Sequence, residues 1–194
     1  VRADWVVLGC NGYLGRLAPS VAARVMPINN FVAATEPLGP QAQEALIAGN
    51  RAVADSRFVV NYFRFSEDHR LLFGGGETYG YRFPRDIAGV VRRRMRQVFP
   101  QLSGTRIDFA WGGTLAITRS RMPHFERVAG NVLSMSGYSG HGVAMATLAG
   151  QIAAETIAGQ AERFDLMAQV PTPPFPGGAA LRQPLLAAAM AWYA

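Results

Sequence analysis

One cysteine, Cys10, stands in 194 residues, which excludes a disulfide framework and any cysteine-based metal site. A reducing, cytoplasmic setting is the expectation that follows. There are three histidines, and no two of them fall at ligand spacing on a helix or strand, so no metal site is expected. Lysine is missing altogether: all 19 basic residues are arginine. No apolar run is long enough to cross a bilayer; the stretch 185–194 is too short and follows Pro184. No secretory signal is visible.

What is present is ample apolar material. Hydrophobic residues make up 49% of the chain, enough for one large core or two small ones. The chain opens on Val1 and closes at Ala194 inside an apolar helical pattern, so it reads as part of a longer protein. Its net charge is +6, and the densest basic cluster is Arg92-Arg93-Arg94 with Arg96. That cluster interleaves with Ile87, Val90, Val91, Met95 and Val98, an apolar stripe at helical spacing. The arginines therefore read as a solvated helix face, and no nucleic-acid recognition motif accompanies them. A non-catalytic basic α+β domain that binds an acidic partner or nucleic acid through this face is the alternative reading.

Along the chain, Asp4–Leu8 reads as a short buried strand closed by Gly9-Cys10-Asn11-Gly12. Ile28–Thr35 reads as a strand, and Pro40–Ala48 as a brief helix with Gly49 past its end. Arg57–Phe65 alternates, Glu67-Asp68 turns, and Arg70–Phe73 returns to a glycine triplet, which predicts a hairpin. Pro84–Phe99 is the arginine-faced helix, ended by Pro100. Arg106–Thr118 predicts two strands broken at Gly112-Gly113, and Asn131–Ser136 another strand. Gly142–Ala158 predicts a helix of small residues, Val170–Gly178 a proline-rich extended segment, and Leu181–Ala194 a final helix.

The motif that stands out is Gly137-Tyr138-Ser139-Gly140-His141-Gly142-Val143, opening onto that small-residue helix. Glycines there let the backbone turn sharply, and the helix start aims free N–H groups and the positive dipole end at a partner. Such a start favours an electron-rich group: a phosphate, a carboxylate or a reduced flavin ring. Two sharper motifs fail. Gly9, Gly12 and Gly15 are spaced G-x-x-G-x-x-G, without an acidic residue some 20 positions on as a dinucleotide fingerprint needs. Ser139 lacks the glycine two residues later that a nucleophile elbow requires, because His141 stands there.

Three segments together resemble the C-terminal part of the FAD-dependent oxidoreductases of the D-amino-acid oxidase family. They are residues 5–14, Trp111-Gly112-Gly113-Thr114 through Met122-Pro123, and Gly137–Val143 with the helix to Gly159. Asn61–Arg64 with Leu71–Gly76 fits the hairpin of that family's substrate domain. The phrases C-N-G-Y-L-G, S-R-M-P and G-Y-S-G-H-G resemble its γ-glutamylputrescine oxidoreductase group. The fold implied is α+β / α/β, the C-terminal portion of a two-domain FAD-linked oxidoreductase, with an antiparallel-sheet substrate domain and part of the FAD-binding domain. Residues 1–26 would be a flavin-domain strand and turn, 27–120 the substrate domain with a helix at 84–99, 121–165 the return to the FAD domain, and 166–194 a proline-rich segment with a terminal helix. The family's N-terminal G-x-G-x-x-G unit has no counterpart here, so the chain alone is expected to bind FAD poorly and to be inactive.

The activity implied is hydride transfer from an amine-bearing carbon to flavin, with imine hydrolysis to a carbonyl compound and ammonia. The resemblance places Asn11, Gly12, Gly137, Tyr138, Ser139, Gly140, His141, Gly142 and Val143 at the flavin, and Tyr62, Arg64, Trp111 and Thr114 at the substrate. It assigns no catalytic residue. Tyr62, Trp111 and Tyr138 are candidate aromatic walls for an amine cation. Relatives often carry an arginine shortly after W-x-G to grip an α-carboxylate, whereas Leu115 stands there, which favours an amine without a nearby carboxylate. A more distant carboxylate would meet Arg64, Arg119 or Arg121. Some relatives activate oxygen with a lysine that this chain lacks, so O2 and another carrier both stay open as acceptor.

Overall fold

A computed structural model describes residues 1–79 and 82–193 of the chain. The strands are β1 (Val6–Leu8), β2 (Met26–Pro37), β3 (Val53–Ala54), β4 (Tyr62–Phe65), β5 (Arg70–Thr78), β6 (Ile107–Ile117), β7 (His124–Ala129) and β8 (Val132–Ser136). The helices are α1 (Pro19–Ala22), α2 (Pro40–Leu46), α3 (Ile87–Val98), α4 (Gly142–Ile157), α5 (Glu162–Ala168) and α6 (Gly178–Tyr193). They fall into two compact units, one made of Val1–Ile28 with Thr114–Ala194 and the other of Asn29–Gly113.

The second unit is a five-stranded sheet in the order β3-β4-β5-β2-β6 with α3 packed on one face. Alternation decides which side chains meet the helix. Phe65 on β4, Leu71 and Phe73 on β5 and Phe31 on β2 are buried with Val91 and Met95 of α3. Phe63 stacks on Phe73 at 5.4 Å and meets Phe99 edge-on at 5.0 Å. The N-terminus of α3 is capped by Asp86, whose carboxylate accepts the Gly89 N–H at 2.7 Å. Its apolar stripe is the one expected, and Arg92 turns back to donate to the Thr105 carbonyl at 2.6 Å.

The first unit holds a three-stranded sheet, β1-β8-β7, in which β1 runs parallel to β8 and β7 antiparallel to it. Phe125, Leu133 and Met135 bury one face of this sheet against Ala149, Ile152 and Ala153 of α4 and Phe164 of α5. The small residues of α4 allow that close packing. Leu14, Ala18, Val21, Ala22 and Val25 form a second, smaller core with Ala116.

Four expectations need correction. The strand at Asp4–Leu8 shrinks to three residues and is not buried: Val6 and Val7 are each 43% exposed, because among the described residues β1 is an edge strand paired with β8 alone. Arg57–Phe65 becomes a strand only at Tyr62, since the Asp55 carboxylate accepts the N–H groups of Arg57 and Asn61 and folds the segment between them into bends. Ile107–Ile117 is one strand and not two. Gly112 does not break it; a Cβ there would lie 2.7 Å from the Phe31 ring, so the glycine makes room for that side chain. The final helix begins earlier, at Gly178, and contains Pro184, while Ala194 lies outside the described residues. No expectation covered β3, β7 or α5.

Candidate functional site

Parallel strands β1 and β8 end side by side, with Leu8 in register with Ser134, and each runs into a turn at its carboxyl end. Ligands of open α/β sheets bind at that end of parallel strands. The turn after β1 is one 3₁₀ turn, Asn11–Tyr13, and the turn after β8 is the glycine-rich segment leading to α4. The Asn11 side-chain oxygen Oδ1 accepts the Gly137 N–H at 3.2 Å and ties the two turns together. Tyr13 adds a second tie, its hydroxyl accepting the Thr114 N–H at 3.0 Å. Gly12 is pressed onto β6: a Cβ there would collide with the Thr114 carbonyl oxygen and lie 2.8 Å from that of Leu115.

The second turn is built on left-handed backbone. Gly137 has φ +73°, Ser139 +52° and Gly140 +98°. At Gly137 a side chain is excluded twice, by the angle and by the Thr118 methyl group 2.5 Å from where its Cβ would be. Ser139 pays its strain back through hydrogen bonds: its N–H donates to the Ala116 carbonyl at 3.0 Å and its hydroxyl donates to the Gly137 carbonyl at 3.1 Å. The same Oγ accepts the Thr118 N–H at 3.2 Å. The Ser139 side chain is thus turned into the fold as a staple.

Tyr138 also points inward. It is 8% exposed, packs in the core with Met135 and Ile152, and donates from its hydroxyl to the Met135 carbonyl at 3.0 Å. Burial raises its phenol pKa above the usual value. The expectation that Tyr138 forms an aromatic wall is therefore corrected: the ring is core.

Beyond Ser139 the turn opens outward. A Cβ on Gly140 would meet nothing within 4 Å, and one on Gly142 only the Tyr138 side chain at 3.8 Å. His141 precedes α4 without a side-chain cap, the first turn carries no acidic residue, and Val143 is 96% exposed. A 16-residue helix therefore starts with uncapped N–H donors and an unopposed dipole, facing open space. That donor set suits an electron-rich, partly anionic ring edge or a phosphate, so the residues present fit FAD.

Tyr62, Arg64 and Trp111 belong to the second unit. Tyr62 and Arg64 alternate on β4 with the buried Phe63 and Phe65, and Trp111 is next to Gly112, whose own missing side chain faces Phe31. All three side chains thus share the sheet face opposite α3. Trp111 is 47% exposed, and Phe109 accompanies it on that face. Thr114 is in the first unit and is 8% exposed. Arg119 donates to the Pro174 carbonyl at 3.0 Å, in the first unit. Two groups had gone unnoticed in the sequence: Asn30, which accepts from the Tyr62 hydroxyl at 2.6 Å, and Thr118, which meets Ser139. Neither belongs to a motif; only the strand alternation around Phe31 hints at Asn30.

His124 makes a separate cluster. It is 6% exposed, with Nδ1 2.5 Å from the Thr172 hydroxyl and Nε2 2.8 Å from the Glu126 carboxylate, which also accepts from Ser20. Burial pushes its pKa below the usual value, against the upward pull of Glu126. The cluster joins the proline-rich segment to β7. Among the described residues no group of three His, Cys, Asp or Glu could hold a metal ion, and no helix is long and apolar enough to cross a membrane.

Known proteins resemble this chain in sequence and in fold. The family model described as FAD dependent oxidoreductase, the DAO family, matches residues 1–156. Over all 194 residues the chain is 44% identical to the probable oxidoreductase OrdL of Rhizobium meliloti and to the gamma-glutamylputrescine oxidoreductase of Escherichia coli. It spans 45% and 46% of the lengths of these two relatives. Among solved structures, L-proline dehydrogenase from P. horikoshii matches with a TM-score of 0.62 at 22% identity, over 81% of this chain and 43% of that one. At that identity the match speaks for the fold alone.

Proposed function

This chain belongs to the DAO family of FAD-dependent oxidoreductases, and from that premise we propose that it takes part in the oxidation of an amine resembling γ-glutamylputrescine, giving an aldehyde and ammonia. The observation that carries the reading is the uncapped start of α4 at the end of β8, tied by Asn11 to the turn after β1. When bound, FAD supplies the two-electron acceptor for a hydride leaving the amine-bearing carbon, and water then converts the imine to the carbonyl product.

The chain's own residues divide the remaining work. Backbone N–H groups from Gly140 to Val143 would donate to the electron-rich edge of the flavin and favour negative charge there. Asn11, Gly12, Gly137, Tyr138 and Ser139 hold that turn in shape, through the bonds and contacts already described. On the sheet face opposite α3, Tyr62 and Trp111 would present aromatic surface to the ammonium group, and Arg64 would meet a distant carboxylate. Thr114 would line the site through the β6 backbone. The adenosine half of FAD would be held by a G-x-G-x-x-G unit that these 194 residues do not contain. The electron acceptor is O2 or another carrier.

The test is the absorbance spectrum of the purified protein encoded by the whole reading frame, beside that of this chain alone. A flavin band in the whole protein, bleached anaerobically by γ-glutamylputrescine, supports the reading. A whole protein that stays colourless after loading with FAD overturns it.

A further inference from the structure

Tyr62 does not stand up from its sheet. It is the register partner of Gly74 on the neighbouring strand β5, and its ring lies where a Gly74 side chain would be. A Cβ on Gly74 would collide with ring atoms Cε2 and Cζ and lie 2.6 Å from the hydroxyl. The side chain therefore crosses β5 entirely, and its hydroxyl reaches the next strand, β2, to donate to Asn30 Oδ1 at 2.6 Å. The Asn30 amide is oriented from its other end as well, Nδ2 donating to the Gly76 carbonyl at 3.2 Å. These bonds fix which end of the amide accepts. The ring keeps 38% exposure, so it is laid down and tethered with part of its surface open on the face that carries Arg64 and Trp111.

We propose that Asn30 and Gly74 are positioning residues that lay the Tyr62 ring flat as a floor for the cationic end of an amine substrate. The proposal rests on the amine-oxidation reading above. An ammonium group is attracted to the face of an aromatic ring and much less to its edge, so the orientation of the ring matters as well as its presence. Gly74 supplies the space, and Asn30 supplies the acceptor that holds the hydroxyl. A ring released from Asn30 regains rotamers, and one displaced by a side chain at position 74 must stand away from β5.

A double-mutant cycle tests this, using holoenzyme that contains this chain and γ-glutamylputrescine as the amine. Asn30→Ala and Tyr62→Phe should each raise KM about three- to tenfold with little change in kcat, the range a weak cation–ring contact commands. If Asn30 acts through the Tyr62 hydroxyl, Asn30→Ala adds nothing further in the Tyr62→Phe background. A full additional effect there overturns the proposal, as do singles that leave KM unchanged. Gly74→Ala should raise KM at least as much; the cycle decides the matter if that variant does not fold. Fluorine NMR of fluorotyrosine-labelled protein, with the Tyr62 signal identified by its loss in Tyr62→Phe, gives a readout independent of turnover. That signal should move in Asn30→Ala, and a static one overturns the positioning role. Should the wild-type enzyme oxidise no amine while the signal moves, the functional reading and the substrate contact fall together, and the tether alone survives.

Discussion

The Asn11 side chain and the Gly137 backbone are joined by one hydrogen bond of 3.2 Å across 126 residues of chain. It holds together the two turns that form the candidate flavin site. Asn11→Ala removes the acceptor and leaves the Gly137 N–H without that partner. The expected loss is about 1–2 kcal/mol in urea unfolding, with weaker FAD binding in the holoenzyme measured by titration of the apoprotein.

Ser139→Ala should separate stability from cofactor binding. The hydroxyl accepts the Thr118 N–H and donates to the Gly137 carbonyl, and it points away from the open side of the turn. Its loss orphans a buried donor, at a cost of about 1–3 kcal/mol. FAD affinity per folded molecule should be unchanged, and a large fall in affinity without a fall in stability would contradict the staple role.

At the helix start the reverse holds. Gly142→Leu adds a side chain on the open side, where only the Tyr138 ring is near. Its effect on melting temperature should be small for a helix position, within about 1 kcal/mol. Flavin retention through gel filtration should drop sharply. Equal retention would remove the α4 start from the site.

His124 should make stability depend on pH. Burial holds its pKa below the ordinary value of 6.5, so the unfolded chain takes up the proton first as pH falls. Its contribution is therefore complete above pH 6.5 and is lost progressively as the solution is acidified toward the lower, folded-state pKa. Thermal melts of wild type and His124→Gln across that range should differ in slope, with the steeper acid loss in the wild type.

Met95→Ala tests the core under the arginine-faced helix. Met95 is fully buried among Phe73, Phe99 and Val91. Truncation should cost about 2–5 kcal/mol, read by chemical denaturation.

The helical stripe on α3 was legible because one period dominates it, and the alternation at Tyr62–Phe65 did end in the strand β4. The same alternation misled at Arg57–Phe65, where the Asp55 carboxylate captures backbone N–H groups that a strand would have used. Gly112 misled in another way: from sequence a glycine pair reads as a break, while in the fold its lack of a side chain accommodates Phe31 within a continuous strand. The turn at Gly137–Gly142 was readable as a helix start, since glycines before a small-residue run have few other uses. What the sequence could not reveal there was direction. Nothing in the letters shows that Tyr138 and Ser139 point inward while Gly140 and Gly142 open outward. The Tyr62–Asn30 bond was out of reach for a similar reason, because it joins two strands separated by a third.

Three residues in four between Gly137 and Gly140 adopt the left-handed backbone. The information in this turn is therefore written in handedness and hardly at all in side-chain chemistry. A protein made by chemical ligation with D-alanine at position 140 would carry a residue whose preferred φ is already positive, where L-alanine would be strained. The turn is, in effect, a short mirror-image passage, and stereochemistry is the alphabet in which it can be edited.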